Sequence, residues 1–451
     1  MRPSPKSCTG RRSASRGLAL LLVAVSLVAA VGVACVRPIQ GDPIIFVHGQ
    51  SGSAQQFETN YMRFATNGFP QQRMFVYEYD STRNDNNVIF ANLDALIAQV
   101  RAETGAQQVD VLGHSRGTGI MHGYLNSSTE RAGQVDDYVN YDGATSASPP
   151  GGRRTLAIWG EGSQTRQIVG AQNEYFPNLG HTESVTSADT FEVVFEFLVG
   201  RPPNTTDVRP DLSGRATLAG RVVLFQENIA PPTGAELEIW RVDGATGARI
   251  DPDPVYTTTI GGDGSFGPFQ GSTSEHYEIA VSRTRTTHFY FSPFPRSDHF
   301  LRLNLSREGE GLETIVDTSP NHSVVVNVRN REWWANQGVP ADNDVLQVDG
   351  TNVLNATIAP RSRRIIAPFL FDDNSDQVTN LSAVPSPFGA LPFLTAADVF
   401  MASDPEGDGT LSLAMTPRGG GGQVETINVP NFASSTDGIT VQWRDYLNLD
   451  D

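Results

Sequence analysis

In Gln107-Gln108-Val109-Asp110-Val111-Leu112-Gly113-His114-Ser115-Arg116-Gly117, a short apolar run ends in G-x-S-x-G. Gly117-Thr118-Gly119-Ile120-Met121-His122-Gly123-Tyr124-Leu125 continues it as a helical pattern. A strand that turns sharply into a helix presses backbone on backbone at both flanks of the turn, where glycine fits best. Such a turn leaves one side chain, Ser115, standing clear at the end of the strand. In a chain with 43 glycines the pentapeptide by itself says little. The strand before it and the helix after it supply the context that the motif requires.

Working outward, strand-like and helical runs alternate as far as residue 200. Pro43-Ile44-Ile45-Phe46-Val47-His48-Gly49 reads as a buried strand entering a Gly/Ser turn. Residues 53–67 read as a helix and 73–79 as a strand. Residues 87–104 repeat apolar positions at a helical period through Val88, Ile89, Leu93, Leu96, Ile97 and Val100. Strands follow at Tyr138-Val139-Asn140-Tyr141 and Thr155-Leu156-Ala157-Ile158-Trp159, then a final helix capped at Thr186-Ser187-Ala188-Asp189. Repeated β-α-β units predict an α/β parallel sheet covered by helices, with functional loops at the carboxyl ends of its strands.

After Arg201-Pro202-Pro203-Asn204 the long helical patterns stop. Short strands at 220–225, 236–240 and 277–281, with the hairpin turn at 261–267, suit a transthyretin-like β-sandwich. A further β region begins near Asn304, with its clearest strands at 323–328 and 439–443. The expected organisation is 1–36, an export signal; 37–203, the α/β domain; 204–303, the sandwich; and 304–451, a second β-rich domain. The two β parts can also share one sheet system.

Arg2, Lys6, Arg11, Arg12 and Arg16 precede an uncharged run from Gly17 to Val36, the pattern of a cleaved export signal. Cys35 after Ala34 also permits a lipoprotein, so the expectation is a secreted or cell-surface protein. Both cysteines, Cys8 and Cys35, lie in this segment, leaving no disulfide for the mature domains. The net charge of −17 becomes −22 without the five basic residues of the leader. That balance argues against nucleic acid as a partner and leaves apolar contact as the route to any lipid surface. Asp404-Pro405-Glu406-Gly407-Asp408-Gly409 reads as an acidic turn rather than a Ca²⁺ loop.

A serine nucleophile needs a base, a carboxylate to orient the base, and donors for an oxyanion. In the α/β-hydrolase order, Ser then acid then His, the histidines after Ser115 are His122 and His181. His122 lies two turns down the elbow helix, so His181 is the expected base. The acid is Asp142, ending the strand before last, or Glu161, after the following strand. Asp136 and Asp137 begin their strand and read as solvated charges. The amides of Arg116 and Gln50 are the expected oxyanion donors, roles that leave both side chains free to vary. Arg116 then either shapes the acyl entrance or is a surface residue beside the cleft. No metal or organic cofactor is expected.

His48-Gly49-Gln50-Ser51-Gly52-Ser53-Ala54-Gln55-Gln56-Phe57-Glu58, the Gly-His-Ser elbow, the stretch from Gly170 to His181 and Thr190-Phe191-Glu192-Val193-Val194-Phe195-Glu196-Phe197 together resemble the archaeal thermophilic lipases. The resemblance implies an α/β-hydrolase domain followed by a β-rich, lipid-binding C-terminal region, with Asp142 as triad acid. It implies a triacylglycerol lipase or carboxylesterase acting through an acyl-serine. A short-chain esterase, a polyester depolymerase and a non-catalytic lipid- or polysaccharide-binding protein are the competing readings. One departure stands out. Only 65 positions separate Gln50 from Ser115, which leaves little room for a helical lid. The aromatic stretches 289–295 and 385–393 are left either to cover the cleft or to pack between β modules.

Overall fold

The computed structural model describes residue 39 and residues 41–232, 234–404 and 408–446. The expected export signal, with Cys8 and Cys35, lies outside them, as does the centre of the 404–409 turn. No helix among the described residues is long and apolar enough to cross a membrane.

The first part runs β1 (Ile44–Val47), α1 (Glu58–Thr66), β2 (Met74–Tyr77), α2 (Asn86–Thr104), β3 (Val109–His114), α3 (Arg116–Ser127), α4 (Thr129–Gly133), β4 (Val135–Tyr141), β5 (Arg154–Trp159), β6 (Gln172–Tyr175) and α5 (Ala188–Val199). Its strands form a six-stranded parallel sheet in the order β2-β1-β3-β4-β5-β6. Every residue of β1 and β3 is buried, because helices cover both faces. The alternation of side chains decides which helix each meets. Ile44, Phe46 and Leu112 pack with Tyr61 and Phe64 of α1 and Phe191 and Phe195 of α5. Ile45, Val47 and Val111 pack with Leu93 and Ile97 of α2 and Met121 and Tyr124 of α3.

Three local details differ from the sequence reading. The expected helix over 53–67 is a 3₁₀ turn at Ala54–Phe57 followed by α1. Strand β6 was not expected, because Gln172-Asn173-Glu174-Tyr175 carries no apolar run; it is a half-exposed edge strand registered on Leu156 to Trp159. Asp137, expected as a solvated charge, is buried and held by the guanidinium of Arg154, whereas Asp136 is exposed. Arg154 heads the neighbouring strand opposite Asp137. The carboxylate therefore finds its counter-charge across the sheet edge rather than in water.

The β-rich part runs β7 (Arg215–Leu224), β8 (Glu236–Val242), β9 (Tyr256–Thr259), β10 (Ser265–Ser272), β11 (His276–Ser282), β12 (Thr286–Phe291), β13 (Asp298–Leu305), β14 (Val325–Arg329), β15 (Val345–Val348), β16 (Thr351–Asn352), β17 (Ala367–Phe371), β18 (Leu394–Asp398), β19 (Thr410–Thr416), β20 (Glu425–Pro430) and β21 (Asp437–Trp443). An eight-stranded sheet, β18-β17-β14-β21-β12-β11-β8-β9, draws strands from both β regions, joined where β12 and β21 pair in parallel. Strand β13 runs straight through residue 303. The three-stranded sheet β10-β7-β13 packs on one face through Leu237, Ile239, Phe289 and Phe291. The four-stranded sheet β16-β15-β19-β20 packs on the other through Trp240, Val242, Tyr290 and Val441. The aromatic stretch 289–295 is thus packing: Phe289, Phe291 and Phe294 fill the sandwich core. Helix α1 of the α/β part meets this region where Tyr61 stacks on Phe300, ring centroids 4.1 Å apart.

Candidate active site

The turn at the end of β3 is strained. Ser115 adopts φ +50°, ψ −118°, a region that non-glycine residues avoid unless their surroundings impose it. The flanks show what imposes it. A Cβ on Gly117 would lie 2.3 Å from the carbonyl oxygen of Val47 and 2.7 Å from that of His48. Helix α3 therefore leaves the elbow in direct contact with the end of β1. Thr118 ties the turn to the next strand end: its Oγ1 donates to the Ser115 carbonyl (2.6 Å) and accepts from the Ala144 amide (2.7 Å).

The structure brings His181 to Asp142. His181 Nδ1 lies 2.5 Å from Asp142 Oδ2, and both residues are buried. The other carboxylate oxygen accepts from the Gly160 amide (3.0 Å) and from Arg166 Nη2 (2.7 Å). Burial by itself would raise the Asp142 pKa, but the hydrogen bond and charge of His181, then Arg166 and the Gly160 amide, hold it below the usual carboxylate range. An ionised acid on Nδ1 leaves Nε2 as the nitrogen free to take a proton. Glu161 is directed elsewhere. It pairs with Arg361 (3.1 Å) and Arg364 (2.9 Å) of the β-rich part. His122 packs against Tyr138 and lies 3.2 Å from Asn140 Oδ1.

The turn after β1 faces the elbow. Arg116 opens α3, so its N–H has no acceptor within the helix. Gln50 stands in the turn opposite, and its side chain is joined to that of Arg116: Arg116 Nη1 donates to Gln50 Oε1 at 2.9 Å. Gln50 Nε2 donates to the Ser81 carbonyl (2.9 Å), and the Arg116 guanidinium also reaches Ser81 O, Arg83 O and Asn84 Oδ1. The side chains that were expected to be free to vary thus clamp the turn to the loop after β2. Arg116 is a clamp rather than a bare surface residue. Behind it, His48 stacks on Tyr79 at 4.2 Å, and burial lowers its pKa to about 4, so the ring is neutral at pH 7.

Two further residues shape the site without a signal in the sequence. Arg166 reaches Asp142 from the segment before β6, with its guanidinium over the Trp159 ring at 5.1 Å. His114, the variable position of the pentapeptide, is buried with Nε2 3.0 Å from the His181 carbonyl. Only the fold makes either one a neighbour of the Asp142–His181 pair.

Ser115 and His181 open on a cavity of about 210 Å³. Its floor is Gly49–Ser53, and its walls come from the β-rich part, among them Leu305, Val326, Ile366, Phe369, Phe393 and Ile439. The β-rich part therefore supplies much of the cavity lining around Ser115 and His181. Of the 385–393 stretch, Phe388 packs on Phe369 and Phe393 reaches the cavity. At the opposite end of the sheet, Asp42, Asp110 and Asp136 bring carboxylate oxygens within 4.8 Å of one another. That acidic group lies at the amino ends of β1, β3 and β4, away from Ser115.

Residues 41–136 match the lipase (class 2) family, residues 214–308 the lipase C-terminal domain, and residues 311–447 a further C-terminal domain family. Two of these three matches are therefore to lipase domains, one in the α/β part and one in the β-rich part. The matches support a hydrolase of the lipase/esterase type, and the fold is a parallel α/β sheet followed by a mostly β C-terminal region. The class 2 match spans Ser115 and ends before Asp142 and His181. Among solved structures, the product of the Listeria innocua gene lin2722 is 13% identical, covering 37% of this chain and 97% of its own with a TM-score of 0.29. A predicted CIB-like hydrolase from Thermoplasma acidophilum is 15% identical over 36% of this chain and 87% of its own, TM-score 0.28. Aspergillus fumigatus lipase B is 15% identical over 37% and 54%, TM-score 0.29. No curated protein matches the chain.

Proposed function

We propose that the chain is an exported serine hydrolase of acyl esters, acting on triacylglycerol through Ser115, His181 and Asp142. The observation that carries this reading is the 2.5 Å His181–Asp142 pair, which opens beside the strained Ser115 onto an apolar cavity. Ser115 Oγ attacks the ester carbonyl while His181 Nε2 accepts its proton, and Asp142 holds Nδ1–H and stabilises the imidazolium. The Gln50 and Arg116 amides receive the oxyanion. His181 then returns the proton to the leaving alcohol, and a water, deprotonated in turn by His181, releases the acid from the acyl-serine.

The cavity walls favour a long acyl chain over the short esters of an esterase or polyester depolymerase, because apolar β-strand side chains line it well beyond the nucleophile. The lipase C-terminal domain match supports contact of the β-rich region with a lipid surface. Export rests on the basic and apolar leader of residues 1–36. Hydrolysis of p-nitrophenyl esters from acetate to palmitate, with Ser115→Ala as control, tests the proposal. Turnover should rise toward the longer chains and vanish in the control. A sharp preference for acetate or butyrate refutes the lipase reading. Failure of a fluorophosphonate to label Ser115 refutes the catalytic one.

A further inference from the structure

The backbone around His181 is held from several sides. Its carbonyl meets Ser184 Oγ at 2.8 Å and His114 Nε2 at 3.0 Å. The next two amides turn toward the β-rich part, and one carboxylate takes both. Thr182 N–H donates to Glu332 Oε1 at 2.6 Å and Glu183 N–H to Glu332 Oε2 at 3.0 Å. Glu332, between β14 and β15, is wholly buried. Gly180 admits it, since a Cβ there would lie 2.4 Å from Oε2 and 2.7 Å from Cδ.

A second buried carboxylate closes the turn. Glu183 accepts the Gly180 amide at 2.9 Å and pairs with Arg331 (3.0 Å) and Arg418 (2.7 Å). Arg418 also donates to the Glu332 carbonyl at 2.6 Å. Two adjacent amides on one buried carboxylate are a charge-assisted pair, and its loss leaves both donors without that acceptor in a buried turn. Asp142 holds the imidazole through Nδ1, and the backbone of the turn sets where the side chain starts.

We propose that Glu332 is a positioning residue for the base, by which the β-rich region sets the place of His181 relative to the nucleophile. The inference rests on the reading of His181 as base. Loss of the contact frees two amides in a turn that must hold still, so the effect falls on the chemical step rather than on occupancy of the cavity.

The test uses the full chain with Glu332→Gln, which keeps shape but offers an acceptor to only one amide, and Gly180→Ala, which presses on the same contact from the hydrolase side. Each is compared with His181→Ala by kcat and KM on a long-chain p-nitrophenyl ester. The His181–Asp142 proton is followed by its downfield NMR resonance, and folding by thermal melting. The expected result for both variants is a kcat lower by about 10- to 100-fold, KM within about twofold, and a shifted or broadened resonance in folded protein. If His181→Ala is inactive while Glu332→Gln keeps wild-type kcat and resonance, Glu332 does not position the base. A kcat loss that only tracks the unfolded fraction, with the resonance unchanged, overturns the proposal equally. Retained turnover in His181→Ala instead removes the assignment of the base itself.

Discussion

Two glycines on one helix make opposite predictions. At Gly117 an added Cβ would stand 2.3 Å from the Val47 carbonyl oxygen, where ordinary contact begins at 3.4 Å. Helix α3 and β1 must then separate by about 1 Å, a misplacement of the size that costs on the order of 100-fold in rate when it reaches reacting groups. It does reach them, because the elbow serine and the Arg116 amide sit at the start of α3 while Gln50 follows β1. At Gly119, two residues on and exposed, no heavy atom lies within 4 Å of the added Cβ. Both substitutions gain the same helix propensity, about 1 kcal/mol. Gly119→Ala should therefore stabilise by about 0.5–1 kcal/mol. Gly117→Ala carries an overpacking cost of about 1–3 kcal/mol against that gain. Urea unfolding measures the stability difference, and p-nitrophenyl ester turnover well below the melting temperature measures the rate. If Gly117→Ala keeps turnover within about threefold of wild type, or shifts stability as Gly119→Ala does, the close approach of α3 to β1 is not what shapes the elbow.

Asp142→Asn should lower kcat by about 10⁴-fold with melting retained, while Glu161→Gln should leave kcat near wild type; the reverse pattern reassigns the acid. Val326→Trp should fill the cavity and move the preferred acyl chain to shorter esters, as read by the ratio of palmitate to butyrate turnover. Buried His288 gives a pH prediction. Burial lowers its pKa, but hydrogen bonds to Asp437 and Glu278 outweigh that and raise it above the ordinary 6.5. Its stabilisation is complete below 6.5 and is lost as pH rises through the elevated folded value. Glu278 and Asp437 are correspondingly lowered, burial being outweighed by Arg249 and His288 for the first and by His288 and Thr436 for the second. Their share is present above the ordinary 4.5 and 3.8 and is lost on acidification through the lowered values. The melting difference between wild type and His288→Gln should thus be greatest near pH 6 and shrink in alkali. A difference that is flat with pH contradicts the charged network.

Much of the α/β part was legible because its signals are local. The elbow needs glycines at fixed offsets, and buried parallel strands such as Ile44–Val47 must be continuously apolar. Chain order after Ser115 narrowed the base to His181 and the acid to Asp142 or Glu161, and geometry then directed Glu161 to Arg361 and Arg364. Edge strand β6 was not legible, since a strand paired on one side and half exposed needs no apolar run.

What the sequence determined by itself was therefore the elbow, the alternation that builds the sheet, and the chain order of Ser115, Asp142 and His181. All of these are set by covalent spacing and by the period at which side chains face a core. Arg166 on Asp142, the Arg116–Gln50 clamp, the β walls of the cavity and Glu332 beneath His181 were decided only by the tertiary structure. The three hydrogen-bonded contacts join groups separated by 24 to 150 residues, and a buried polar contact of that kind leaves no period in the chain. It exists because a donor or carboxylate shut away from water must find its partner among whatever the fold brings beside it.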